Sequence, residues 1–238
     1  MKRWIGAAVI LLGLAMSLGA APIGQSAVGL DKEIKILSHP FNVLYGGSFH
    51  ALVDGFDTQV WCVDNQNHVY VPDTYRADIV MLLNWDATDK SHVRKGTNTT
   101  WPALGVSYDT ASAQQRYQAA AWLVSQYSAF PGGSGVANSN DQDVQRAIWY
   151  LLYQGTSGAP ALNHYAKDAL DAVFADPSYG FLKWAVISGK SLDGRLLDDT
   201  KQTFLVQLTS GGDTPSPEPG TYALMGAGLI GLALLRRR

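Results

Sequence analysis

Residues 58–64 read TQVWCVD, and this stretch has the alternation and the β-branched and aromatic residues of a strand with two different faces. One face carries Val60, Cys62 and Asp64, and the other carries Trp61. Residues 65–67 (NQN) predict a turn, and residues 68–71 (HVYV) predict a returning strand. The region therefore predicts a β-hairpin with a cysteine at its centre. Alternation at 33–37 and at 203–208 predicts two further strands.

The second half of the chain has helical periodicity. Three segments, which end near residues 127, 153 and 175, carry apolar residues at helical spacing. Thr110, Ser112 or Asp109 is expected to cap the first helix. Residues 76–85 and 181–187 suit a strand or a helix equally. The sequence therefore predicts an α+β fold, with a strand-rich N-terminal part, a helical insertion or second half, and a late returning strand.

The first 21 residues have the order of a secretory signal peptide. Lys2 and Arg3 precede an apolar run, and Gly19, Ala20 and Ala21 follow it. The apolar run is shorter than the roughly 20 residues that span a bilayer. We therefore expect residues 1–21 to be a signal peptide and residues 22–210 to form a single exported ectodomain.

The other terminus has three elements in a defined order. Residues 211–219 are a Pro/Gly-rich linker that contains Pro217, Glu218 and Pro219, residues 220–235 are an apolar predicted transmembrane segment, and residues 236–238 are basic. The basic residues are Arg236, Arg237 and Arg238. Together these elements resemble the PEP-CTERM sorting signal of bacteria that make exopolysaccharide. The resemblance implies a membrane-embedded exosortase as the sorting protease, and a Gram-negative inner membrane as the site of anchoring before release to the cell surface or matrix.

The charge of the ectodomain limits its partners. Residues 22–216 hold thirteen Lys and Arg against nineteen Asp and Glu, a formal charge of −6. An acidic ectodomain argues against nucleic acid and anionic membrane surfaces as partners. The five histidines have no metal-ligand spacing, so we expect no metal and no cofactor. Neither a nucleophile elbow nor a phosphate loop is present, and no residue is predicted to be catalytic.

The chain has one cysteine, Cys62, and a glutamine of interest about 80 residues later. Residues 144–150 read VQRAIWY, and together with the cysteine strand they resemble the thioester domain of bacterial surface adhesins over residues 40–208. In that family a strand cysteine and a motif glutamine condense with loss of ammonia. The resemblance implies that Cys62 and Gln145 are the two partners. In the family an aromatic often follows the cysteine, whereas here Trp61 precedes it and Val63 follows.

The chemistry needs an amide that is held close and polarised. A carboxamide is a poor electrophile, so the sulfur must lie at attack distance and hydrogen-bond donors must face the carbonyl oxygen. Aromatic side chains would shield the acyl–sulfur bond from water; the candidates are Trp61, Trp149, Tyr150 and Trp122. The target would be an amine or a hydroxyl on a surface, and the protein would not be an enzyme because no turnover follows.

Other interpretations remain open. Cys62 could be a buried and inert side chain, as free cysteines commonly are, or could pair between chains. Gln118 is a rival acyl partner, because it also stands four residues before a tryptophan. At the level of function, the alternatives are a non-covalent structural or binding module of the exopolysaccharide matrix and a secreted carbohydrate-active hydrolase.

Overall fold

The computed structural model describes residues 22–39, 47–98, 110–127, 139–153, 164–177, 181–190 and 201–208. The described strands are β1 (Gly29–Ser38), β2 (Ser48–Val53), β3 (Phe56–Cys62), β4 (Asp73–Met81), β5 (Trp184–Gly189) and β6 (Phe204–Gln207). The described helices are α1 (Ala87–Ser91), α2 (Ala113–Val124), α3 (Ser139–Tyr153) and α4 (His164–Ala175). Short 3-10 turns occupy Gln25–Ala27 and Phe181–Lys183.

The six described strands form one closed antiparallel barrel. Their order is β1-β2-β3-β6-β5-β4, and β4 pairs back with β1. β2 and β3 are joined by Asp54 and Gly55, which both have positive φ, as a two-residue primed turn requires. Closure gives every one of these strands two partners, so the barrel has no free edge.

The predicted α+β class is wrong, because the barrel dominates the described fold and draws strands from both halves of the chain. Of the two stretches that suited a strand or a helix equally, residues 76–85 begin within β4, and residues 181–187 lead into β5, whose six residues are all buried. A strand buried on both faces has no alternation to distinguish it from a buried helix. The late strand was predicted correctly, but it inserts between β3 and β5 rather than returning to the edge of a sheet.

The predicted hairpin at residues 58–71 is also wrong. Residues 68–72 are not a strand; they lead into β4, which pairs with β1 and β5 and not with β3. The turn at residues 65–67 is real, but it folds around the carboxylate of Asp64, which accepts from the backbone N–H groups of Gln66 and Asn67. Hydrogen bonds to a buried side chain therefore replace the strand ladder here.

Two buried clusters share the wall of the barrel. The barrel interior includes Val60 and Cys62 of β3, and the alternate residue Trp61 faces the helices instead. Residues of β4, β5 and β6 join Trp61 on that outer surface, where α2, α3 and α4 pack. The predicted cap of α2 is Ser112, which forms a reciprocal capping box with Gln115. The helices therefore cover one side of the barrel, and the wall formed by β3, β4, β5 and β6 separates the two clusters.

Candidate functional site

Cys62 is a free and completely buried thiol at the last position of β3. Its sulfur donates to the backbone oxygen of Asp64 at 3.2 Å and accepts from the side-chain nitrogen Nε2 of Gln202 at 2.9 Å. Burial raises the pKa of the Cys62 thiol to about 12. A thiol with so high a pKa is protonated at neutral pH, so the folded chain holds it as a neutral group.

Gln145 reaches Cys62 from helix α3. Its Nε2 donates to the backbone oxygen of Cys62 at 3.2 Å, across 83 residues of sequence. Its Oε1 accepts two hydrogen bonds, from the backbone N–H of Gly47 and from the hydroxyl of Tyr127, each at 2.6 Å. Gln145 is 1 % exposed, so these bonds lie in a dry environment where they are stronger than in water.

The backbone at Gly47 is shaped for this contact. Gly47 precedes β2 and has a φ of 93°, a conformation that side chains other than glycine rarely adopt. Its oxygen accepts from the N–H of Cys62 at 2.8 Å, while its own N–H donates to Gln145. One glycine therefore connects the cysteine strand to the glutamine helix.

Tyr127 lies just after α2 and supplies the second donor. It is buried, and burial raises the pKa of its hydroxyl well above the usual value, with smaller contributions from Cys62 and Asp141. The hydroxyl is therefore protonated at neutral pH and able to donate. Two donors on one amide oxygen form the kind of arrangement that stabilises a developing oxyanion.

The structure brings only one of the four predicted shield residues to the cysteine. Trp149 packs against both buried clusters. Its indole N–H faces Cys62 and partly opposes the rise in the pKa of the thiol that burial causes, although it does not reach full hydrogen-bond geometry. Trp61 faces away from Cys62 and packs edge-on against Trp184, with ring centroids 5.6 Å apart. Tyr150 and Trp122 belong to the helix-side cluster. Alternation on β3 explains the outcome for Trp61, because consecutive strand residues point to opposite faces.

The rival glutamine is placed elsewhere. Gln118 is buried in α2, and its Nε2 donates to the backbone oxygen of Leu82 at 3.2 Å. Gln118 and Trp122 have the same spacing as Gln145 and Trp149, but the two glutamines contact different parts of the barrel. The geometry therefore favours Gln145 over Gln118 as the partner of Cys62.

Asp64 organises the chain immediately after the cysteine. Its carboxylate is completely buried. It accepts hydrogen bonds from Nη1 of Arg94 at 2.8 Å and from Nδ2 of Asn67 at 2.7 Å. It also accepts from the two backbone N–H groups of the turn. Its backbone oxygen accepts from both Cys62 and Gln202. The ion pair with Arg94 thus fixes the loop against which the thiol lies.

The sequence did not identify three residues that complete the site. Gly47, Tyr127 and Gln202 contact Gln145 or Cys62 across 98, 18 and 140 residues respectively. No local pattern marks a residue whose role depends on contacts so distant. The two adjacent glycines at 46 and 47 were the available signal, since a glycine pair inside an apolar stretch often marks an unusual backbone.

The buried thiol and four buried tyrosines predict an alkaline limit to stability. Burial raises the pKa of Cys62 and of Tyr75, Tyr117, Tyr127 and Tyr153 above their ordinary values of 9.0 and 10.0. The folded chain therefore holds these protons more tightly than the unfolded chain, so the stabilisation is complete below pH 9 and is lost as the pH rises beyond it.

We expect the free energy of unfolding to fall by several kcal/mol between pH 8 and pH 11, at up to about 1.4 kcal/mol per pH unit for each group. Guanidinium titrations at a series of pH values measure this fall. Where the thiol of Cys62 is free, Cys62→Ala should lack the part of the fall that begins near pH 9. A free energy of unfolding that stays constant over this range would show that these groups do not titrate with unfolding.

The described residues end before the C-terminal segment, so the sorting signal is judged from sequence. Pro217, Glu218 and Pro219 precede the apolar run and the three final arginines. Residues 217–238 match the PEP-CTERM protein-sorting motif. The PEP-CTERM motif implies export, processing by an exosortase, which is a membrane protein, and membrane anchoring before sorting to the cell surface. The predicted sorting signal is thus confirmed.

Neither a search of curated proteins nor a search of solved structures found a match to this chain. Within the described ranges, no helix combines the length and apolar character needed to cross a membrane, and the predicted segment 220–235 lies outside those ranges. The predicted signal peptide at 1–21 also lies outside them. Among the same residues, no group of three or more His, Cys, Asp or Glu side chains is positioned to hold a metal ion.

Proposed function

We propose that this PEP-CTERM protein forms an internal thioester between the sulfur of Cys62 and the side-chain carbonyl of Gln145, and uses it to attach covalently to a partner at the cell surface. The observation that carries the proposal is the environment of Gln145. Its carbonyl oxygen accepts from Gly47 and Tyr127, and its nitrogen contacts the backbone of Cys62. Two donors on the carbonyl oxygen satisfy the buried amide and also polarise its carbonyl carbon toward a nucleophile.

The reaction balances without a co-reactant. The sulfur adds to the carbonyl carbon of Gln145, and the donors from Gly47 and Tyr127 stabilise the negative charge that develops on the oxygen. The carbon–nitrogen bond then breaks, and the thiol proton leaves with the amide nitrogen as ammonia. Because the thiol is neutral when buried, the proton must move to the nitrogen as the carbon–sulfur bond forms.

Burial of the two groups supports both formation and survival of the bond. Because the fold holds the thiol and the amide in one site, their reaction is effectively unimolecular, and this proximity accounts for a large part of the rate enhancement in many enzymes. Cys62 is fully buried and Gln145 nearly so, which keeps bulk water from the acyl–sulfur bond. The burial of Cys62 also argues against a disulfide to a second folded chain.

Intact mass spectrometry of the purified protein tests the proposal. The wild-type protein is expected to be lighter by about 17 Da than its sequence mass, since thioester formation releases ammonia. Cys62→Ala and Gln145→Ala should each abolish this loss, while Gln118→Ala should retain it. Methylamine should add to the wild-type protein and free the thiol. A wild-type mass without the loss would reject the thioester and leave Cys62 as a buried, inert side chain.

A further inference from the structure

A cavity of about 580 Å³ lies next to the candidate bond, and its size is typical of small-ligand sites. Its lining includes Trp149 and Gln202, the two side chains that also approach the sulfur of Cys62, together with Asp64. The exposed loop residue Tyr70 lies on the same lining. Cys62 and Gln145 are not on the lining themselves, so Trp149 and Gln202 form the wall between a molecule in this cavity and the proposed thioester.

Three buried polar atoms of the lining have no hydrogen-bond partner within the described protein. Two are acceptors, Oε1 of Gln202 and Oδ1 of Asn65, and one is a donor, Nε1 of Trp149. Gln202 as a whole is only 5 % exposed. An unpaired buried polar atom destabilises the fold, so these atoms indicate a missing partner. Hydroxyl groups satisfy both kinds of atom, because each hydroxyl donates once and also accepts.

The charge of the lining favours a neutral ligand. Asp64 is the acidic residue among the described lining residues, and its carboxylate is already bound to Arg94, Asn67 and the backbone of the turn. A lysine side chain enters as an ammonium ion and needs a carboxylate or several acceptors to replace its water. This lining has no free carboxylate for that purpose. Its aromatic rings, from Phe49, Tyr70 and Trp149, instead offer flat apolar surface of the kind that the C–H face of a sugar ring covers.

We propose that the cavity binds a neutral sugar unit of a polysaccharide and that one of its hydroxyl groups passes between Gln202 and Trp149 to the carbonyl carbon at Gln145. This inference rests on the proposed thioester. The hydroxyl oxygen adds to the carbonyl carbon, the carbon–sulfur bond breaks, and the hydroxyl proton passes to the sulfur of Cys62. The products are an ester that joins the former Gln145 side chain to the sugar, and a free thiol. The protein would thus be fixed to polysaccharide rather than to protein.

The test compares three kinds of nucleophile on the purified full-length protein: a small amine, neutral trisaccharides and a lysine derivative. Methylamine reports whether a thioester exists, and maltotriose, cellotriose and the N-acetylated trimer triacetylchitotriose compete with Nα-acetyl-lysine at equal concentration. We expect sugar adducts to exceed lysine adducts at least tenfold, to map to Gln145, and to be released by hydroxylamine as esters are. In Asn65→Leu the sugar adduct should fall about tenfold while the methylamine adduct is unchanged, as expected for losing one hydrogen bond of about 1.4 kcal/mol.

The control is Asn140→Leu, which makes the same replacement at an exposed position of α3 and should leave both adducts unchanged. Preference for Nα-acetyl-lysine, or equal sugar adducts in Asn65→Leu and wild type, would overturn the inference while the thioester stands. If methylamine does not add, the proposed thioester fails first. Sugar binding is then read from the tryptophan fluorescence of Cys62→Ala, which should change with at least one trisaccharide, and no change with any of them would overturn the sugar site as well.

Discussion

Tyr127→Phe is expected to slow formation of the bond between Cys62 and Gln145 by about 10²–10³-fold, the usual effect of removing one donor from an oxyanion site. The tyrosine hydroxyl donates to Oε1 of Gln145 at 2.6 Å in a buried environment, so no water is available to replace it. The loss of ammonia, followed by intact mass over time in protein refolded from inclusion bodies, measures the rate.

The matched control is Tyr75→Phe. Tyr75 is buried inside the barrel, and its hydroxyl has no hydrogen-bond partner within the described protein, so its removal should leave the rate unchanged. If Tyr127→Phe formed the bond as fast as wild type, the two donors on Gln145 would have only a structural role. Equal slowing by both variants would indicate a general loss of packing instead.

Asp64→Ala is expected to lower the free energy of unfolding by about 3–5 kcal/mol, because it leaves the largely buried charge of Arg94 without its partner. The same change removes the acceptor for Asn67 and for two backbone N–H groups of the turn. Guanidinium titration at neutral pH measures the difference. The variant should also expose the thiol of Cys62 to alkylating reagents wherever no thioester has formed, since Asp64 fixes the loop beside it.

Asp57→Ala is the matched control, because Asp57 pairs with His50 on the surface, where its side chain is 64 % exposed. Exposed ion pairs contribute about 0–1 kcal/mol, so the control should change stability little. Similar values for the two variants would mean that the pair between Asp64 and Arg94 contributes no more than a surface contact.

The sequence predicted the elements that carry the two candidate residues. Alternation placed Cys62 on a strand, helical spacing placed Gln145 on a helix, and the structure brings the side chain of Gln145 to the backbone of Cys62. These predictions succeed because they depend on local periodicity, which a window of a few residues contains. The cap of α2 was predicted only as one of Thr110, Ser112 and Asp109, and the structure selects Ser112.

The barrel could not be predicted in the same way. Its closure depends on β6 pairing with β3 and β5, and on β4 pairing with β1, contacts between residues far apart in sequence. β5 reads as a short apolar run whether it is a strand or part of a helix. The donors to Gln145 present a similar difficulty, because a glycine N–H and a tyrosine hydroxyl gain their role only from the folded arrangement.

The pairing of Cys62 with Phe204, on the last described strand, has a consequence for timing during secretion. A chain that has crossed the membrane only as far as α3 already carries the sulfur and the amide, but it lacks β6 and the Gln202 contact that precedes it. The surroundings of Cys62 are therefore complete only when almost the entire domain has crossed the membrane, and the proposed thioester is expected to form late in secretion and not in truncated molecules.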